Sequence, residues 1–285
     1  MGIINLTPDS FSGDGLAPPE RTPEEVLAAA LDKAGGFVEA GAEILDVGAE
    51  SSRPPQFYGD HPSVEPRVEA DIAVPVVAAL VRTFGGRALI SIDTTKGAVA
   101  SEALAAGATI VNDVWGGTRD PATVEAAARA GAHLVLMHNK EVAEYPGGVF
   151  DEVATWLRDA VDQAVAGGAR RDRLIVDPGI GFGKTPEHSI ELLHRLGELK
   201  AALGGLPLLV GTSRKRFLGE LLGGAPPEER LEGTAASVAL AIGAGADIVR
   251  VHDVAPIMRV VRVADGIVRW HHGAPALRGG RGPFR

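Results

Sequence analysis

The chain has 285 residues, 45% hydrophobic and 23% charged, a balance that supplies a full core and excludes a disordered polymer. Its formal net charge of −9 argues against a broad nucleic-acid or acidic-membrane surface, so any anion it binds must be met by a local basic pocket. It contains no cysteine, no signal-peptide pattern and no run near the ~18 apolar residues of a membrane span, which leads to the expectation of a cytoplasmic protein without disulfides, thiolate ligands or a membrane partner.

Taken in chain order, "MGIIN" (1 to 5) reads as a short buried strand. Met1 falls inside it, so upstream residues are expected to be missing from this chain. A long Pro/Gly/Ser-rich connection, 6 to 23, precedes "PEEVLAAALDKAGGFVEAGA" (23 to 42), whose alanine-rich spacing is helical. "EAGAEILDVG" (39 to 48) then passes from helix end through a turn into a strand, with Gly41 suited to the left-handed conformation that closes a helix. A second long connection follows, 49 to 64. The same helix-turn-strand unit recurs at "AAGATIVNDV" (105 to 114), "ARAGAHLVLMH" (128 to 138) and "GAGADIVRVH" (243 to 252). Strands at 88 to 93, 173 to 177 and 206 to 211 bring the count to eight, with helices at 96 to 108 and 226 to 246 among the segments between them. Near-continuous apolar strands, each followed by a helix, imply a parallel sheet, and eight of them imply a single α/β domain over 1 to 285: a (β/α)8 TIM barrel with long βα loops 1 and 2. Only 278 to 285 reads as a loose tail.

A barrel carries its chemistry at the C-terminal ends of its strands. Those ends hold Asn5, Asp46, Asp93, Asn112 with Asp113, His138, Asp177, Gly211, and Arg250 with His252. One such carboxylate is as readily a helix cap as a functional group, but a ring of hydrogen-bonding side chains is more than capping demands and describes a pocket for a polar ring compound. Arg250 and His252, two apart on a strand, are expected to face the same way and to suit a diphosphate. "DPGIGFGKT" (177 to 185) resembles a nucleotide phosphate loop but fails its spacing: Pro178 occupies the position of the first glycine and has no N–H to offer a phosphate.

Eight stretches in order, "MGIINLTPDSFS", "DVGAESSRP", "SIDTTK", "NDVWGG", "DPGIGFGKT", "GTSRKRFLG", "GTAA" and "RVHDV", resemble dihydropteroate synthase, the folate-pathway transferase that sulfonamides inhibit. The likeness spans nearly the whole chain, departing at "SGDG" in the first long loop and "SSRPP" in the second. It implies condensation of 6-hydroxymethyl-7,8-dihydropterin diphosphate with 4-aminobenzoate, with Mg2+ as cofactor, two small-molecule substrates and a homodimer. It implies a pterin site of Asp93, Asn112, Met137, Asp177, Gly211 and Lys215. A diphosphate site of Asn5 (with Mg2+), Ser52, Arg53, Arg250 and His252 follows from the same likeness. The aminobenzoate site it implies is Phe11, Arg53, Pro54, Phe182 and Ser213, with Ser213 at the start of the seventh helix. Asp93, Lys215 and Arg53 are the expected catalytic groups, and Lys184 is expected to be structural. Three alternatives stand beside this at the level of sequence: a barrel moving a methyl group from methyltetrahydrofolate to a corrinoid protein, a non-catalytic pterin-binding paralogue, and a generic sugar-phosphate barrel.

Overall fold

In the computed structural model, which describes residues 1–7, 15–18, 20–50 and 63–270, strands and helices alternate throughout. The strands are β1 (Gly2–Asn5), β2 (Ile44–Gly48), β3 (Leu89–Asp93), β4 (Ile110–Asp113), β5 (His133–Met137), β6 (Leu174–Asp177), β7 (Leu209–Val210) and β8 (Ile248–Val249). β1 to β6 form one parallel sheet in sequential order, and β7 pairs with β8 in a second. Single bridges, Val176 to Leu208 and Gly2 to Val251, join the two sheets at both edges, so the eight strands close into a ring. Ile3 N and Val251 O, 3.1 Å apart, and Val176 N and Pro207 O, 2.9 Å apart, are the hydrogen bonds of those seams.

The helices are α1 (Pro23–Ala40), α2 (Pro66–Phe84), α3 (Gly97–Ala105), α4 (Ala122–Ala130), α5 (Val149–Ala166), α6 (Pro186–His194), α7 (Leu196–Ala202), α8 (Arg216–Leu221), α9 (Leu231–Gly243) and α10 (Val254–Val268). α1 begins where Thr22 caps the Glu25 N–H, Glu25 returns the bond to Thr22 N, and Pro23 fills the first turn; it ends where Gly41 takes φ 107°. Local signals are weaker toward the C-terminal end, and there the structure departs from expectation. β7 and β8 are two residues each, shorter than the apolar runs around them, because strand length depends on paired neighbours and not on apolar content alone. The helix expected over 226 to 246 is a 3-10 turn at Pro227–Glu229 followed by α9, as Pro227 holds the residue before it, Pro226, extended at ψ 163° and out of a helix.

Alternation along the strands sorts the core into two parts. Leu45, Val47, Ile90, Ile92, Val111, Leu134, Leu136, Leu174, Val176 and Val210 pack against the helices. Ile44, Ile110, Val135, Ile175, Leu209 and Ile248, with Met1 and Leu89, form a separate apolar plug inside the ring. Two residues further along each of those strands stand Ile3, Asp46, Ser91, Asn112, Met137, Asp177, Gly211 and Arg250. Period-two geometry therefore puts them inside the barrel, one layer above the plug.

Candidate active site

Bonds between strands that are not neighbours show that these side chains meet in the interior. Asn112 on β4 donates Nδ2 to Asp46 Oδ2 on β2 at 3.0 Å. Arg250, just past β8, donates Nε to the same Asp46 oxygen at 2.7 Å and its Nη2 to Asp93 Oδ2 on β3 at 2.7 Å. Asp46 is fully buried and its Oδ1 has no hydrogen-bond partner. Asp46 is the residue sequence reasoning placed at a strand tip but left out of the site. Its signal was there: an aspartate two positions past a plug residue, in the same spacing as Asp177.

Along the rim, Asn5, Gly48, Asp93 and Asn112 occupy one row across β1 to β4, and Met137 stands beside Asp177 across β5 and β6. Burial pushes the Asp93 carboxyl up, to about 8, with Asp46, Glu69 and Asp113 adding to the rise and Arg250 opposing it. Asp177 is also raised by burial, against the pull of Lys215, Lys184 and Arg250 and of the bond that its Oδ1 accepts from Gly179 N at 2.7 Å. Lys215 extends from the loop after β7. Its ammonium donates to Ile180 O and lies 4.3 Å from the centre of the Phe182 ring, and burial holds it down to about 7 in spite of Asp177. Gly211 has no side chain to stand between Lys215 and Arg250: a Cβ there would lie 3.9 Å from Lys215 Nζ and 3.8 Å from Arg250 Cβ.

Of the two residues expected to hold a diphosphate together, Arg250 turns to the carboxylates and His252 to Ser213, whose Oγ lies 3.0 Å from His252 Nδ1 and accepts from His252 N at 3.2 Å. Ser213 is not at a helix start: α8 begins at Arg216 with Lys215 before it, because Arg214 takes the left-handed φ of 59° and breaks the chain direction there. Arg214 is held in that conformation by a two-point bond to Asp253, 2.9 and 2.6 Å.

The "DPGIGFGKT" stretch is a tight rim turn. A Cβ at Gly179 would fall 1.9 Å from His138 O, and one at Gly183 2.1 Å from Lys140 O. Lys184 is buried, as expected of a structural residue, and donates to Phe182 O at 3.0 Å while its Nζ lies 2.9 Å from His138 Nδ1. Burial lowers both groups, Lys184 well below its ordinary value and His138 to about 2, and the Lys184 donors are spent on Phe182 O and the His138 ring rather than on a phosphate. Thr185 caps α6. Phe11, Ser52, Arg53 and Pro54 lie outside the described residues.

Mg2+ keeps most of its waters and takes one or two protein oxygens together with substrate phosphates. The described residues hold no cluster of three or more His, Asp or Glu suited to a metal, while Asn5 offers one neutral amide oxygen at the rim. That set fits an ion arriving with a diphosphate and does not fit a resident centre.

A family model described as a pterin binding enzyme matches residues 1–252. A dihydropteroate synthase of Bacillus subtilis is 40% identical over 276 residues, covering 96% of this chain and 90% of that protein. Among solved structures, a dihydropteroate synthase from Clostridium difficile, in the presence of pteroic acid, superposes with a TM-score of 0.84 at 39% identity, covering 95% of this chain and 96% of that one. A Xanthomonas albilineans dihydropteroate synthase with 4-aminobenzoic acid gives 0.84 at 36% identity, covering 95% and 93%.

Proposed function

The chain belongs to the dihydropteroate synthase family, and we propose that its reaction is divided between the acids and the cations of this one barrel mouth. It is a folate-pathway transferase that condenses 6-hydroxymethyl-7,8-dihydropterin diphosphate with 4-aminobenzoate to give 7,8-dihydropteroate and diphosphate. The reading of its residues rests above all on Arg250, a cation held between the buried Asp46 and the partly buried Asp93 in the middle of the pocket.

A pterin edge presents an amino group and a ring N–H side by side. Asp177 accepts both, its carboxylate aimed by Gly179 N. Asn112, oriented by Asp46, meets the neighbouring ring nitrogens with its remaining amide valences. Met137 forms the apolar floor, Gly211 leaves room for the ring plane, and Lys215 donates to the pterin carbonyl.

4-Aminobenzoate is a weak amine nucleophile, so departure of the diphosphate precedes attack. The carbon–oxygen bond breaks with its electron pair leaving on the diphosphate. Asp93, beside the ring N–H, stabilises the positive charge that develops on the pterin, and Arg250 and His252, with Asn5, Ser52 and Arg53, draw off the anion. The amine nitrogen then bonds the exocyclic carbon and gives up a proton. Phe182 and Ser213, with Phe11, Arg53 and Pro54, form the second-substrate side. Mg2+ held by Asn5 would neutralise part of the leaving group's charge. A homodimer is the expected assembly. Leu240 on α9 with Val263 and Ile267 on α10, exposed on two helices that pack together, support it.

The direct assay supplies Mg2+, pterin diphosphate and 4-aminobenzoate to the purified protein. Diphosphate is released only when both substrates are present. Release without the amine would mark a hydrolase instead.

A further inference from the structure

β7 and β8 pair over only two residues, but the loops that follow them stay together through side chains. Ser213 Oγ accepts from His252 N at 3.2 Å and lies 3.0 Å from His252 Nδ1. One residue further on each loop, Arg214 donates Nε and Nη2 to the Asp253 carboxylate at 2.9 and 2.6 Å. Two consecutive residues of one loop thus grip two consecutive residues of the other, beyond the backbone bond from Arg250 N to Val210 O at 3.0 Å.

Both partners of this ion pair go against local preference. Arg214 is the third residue of a turn over 212–215, closed by Lys215 N donating to Thr212 O at 3.2 Å, and its φ of 59° is one that turns reserve for glycine or asparagine. Among the described residues it is the one non-glycine with positive φ. Asp253 stands at the N-cap of α10, where an aspartate ordinarily bonds the N–H groups of the first turn, yet its side chain makes no such bond. The strained residue is clamped from two further directions: Arg214 N donates to Thr234 Oγ1 at 3.2 Å, and Arg230 Nη1 donates to Arg214 O at 2.8 Å. Strain that the surroundings hold this firmly is characteristic of functional sites, and the group that the ion pair adjoins is His252.

We propose that Arg214 is a positioning residue for the leaving group. Through Asp253 it fixes the loop after β8 so that His252 is already held against Ser213 when the diphosphate arrives. The effect is one of preorganisation, since a side chain held in place loses little freedom on meeting the anion. Glycine would accept φ 59° without strain but has nothing to reach Asp253 with, which accounts for an arginine at a glycine position. The inference rests on the assignment of His252 to the diphosphate.

The test titrates wild type and variants with pterin diphosphate and with the unphosphorylated pterin alcohol, both in the presence of Mg2+, and reads the ratio of the two affinities. A disturbance of the pterin pocket lowers both affinities and leaves their ratio alone. Arg214→Gly keeps the turn but loses the grip, and it lowers the ratio by about tenfold, the effect of one charge-assisted bond poorly made. Asp253→Asn, which breaks the pair from the other side, does the same. Arg214→Lys, which keeps the charge and a single bond, falls between them and wild type. In a His252→Ala background Arg214→Gly changes the ratio by less than about twofold, because the group it positions is gone. Equal loss of both affinities in Arg214→Gly and Asp253→Asn overturns the proposal, as does a loss in ratio that persists undiminished without His252. Arg214→Gly decides the question if Asp253→Asn does not fold. A wild type that binds the two ligands equally would instead strike the assignment of the diphosphate to this mouth.

Discussion

Arg250 leaves the end of β8 and reaches across the barrel to Asp93 on β3, Nη2 2.7 Å from Oδ2, while its Nε stays 2.7 Å from Asp46. The cation assigned to the leaving group thus neutralises, without substrate, the carboxylate assigned to the ring. Substrate must repartition this pair: the diphosphate competes for Nη2, and the ring N–H takes up the oxygen it vacates.

Replacing Arg250 by Met should therefore act twice. Binding of pterin diphosphate weakens by more than binding of the unphosphorylated pterin alcohol, since only the former loses a charge-assisted bond. Stability falls by about 3–5 kcal/mol at neutral pH, because the buried Asp46 loses its counter-ion. Urea unfolding of the variant should recover as pH drops; a penalty independent of pH would contradict the pairing.

Two titrating groups of the mouth, Asp93 and Lys215, pull stability in opposite directions. Asp93 is raised from 3.8 to about 8, so its contribution is fully present below 3.8 and is lost as pH rises through about 8. Asp93→Asn should accordingly gain on wild type over that window. Lys215 is lowered from 10.5 to about 7, so its contribution is present above 10.5 and is lost as pH falls through about 7. Lys215→Met should gain on wild type as pH falls from 10.5 to 7, by the same unfolding measurement.

Gly179 cannot accept a side chain. At φ 67°, a Cβ would sit 1.9 Å from the His138 carbonyl, and backbone is on both sides of the clash. Gly179→Ala should cost upwards of ~2 kcal/mol in stability and displace the N–H that aims Asp177, weakening pterin binding with it.

Lys184 carries the likeness to a phosphate loop, and its surroundings argue against that role. Lys184→Met should destabilise by about 1–3 kcal/mol, since Phe182 O and His138 Nδ1 lose their buried donor, yet leave the salt dependence of pterin diphosphate binding unchanged. A lost charge contact would appear as a shallower salt dependence.

Most of the frame is legible in the sequence. Each alanine-glycine-alanine entry marks a helix end followed by a strand, and the acid or amide two places past an apolar residue marks the inner layer, because both signals are local in the chain. What was not legible depends on ring closure. The partners of Arg250 come from β2 and β3, and no spacing within "RVHDV" reveals them. Arg214 in a left-handed turn, which moves the helix start past Ser213, is imposed by Asp253 from the next loop. Glu50 and Lys96 carry no local signal of their pairing, since their meeting point exists only once β2, β3 and α2 are packed.

The most direct measurement is calorimetric titration of the pterin diphosphate into wild type and Asp177→Ala. Binding to wild type and its loss in the variant, with the fold intact by circular dichroism, is the outcome expected if the inner ring of acids and amides reads the pterin. Undiminished affinity in Asp177→Ala would mean that the heterocycle is held elsewhere, and the assignment of this mouth would fall.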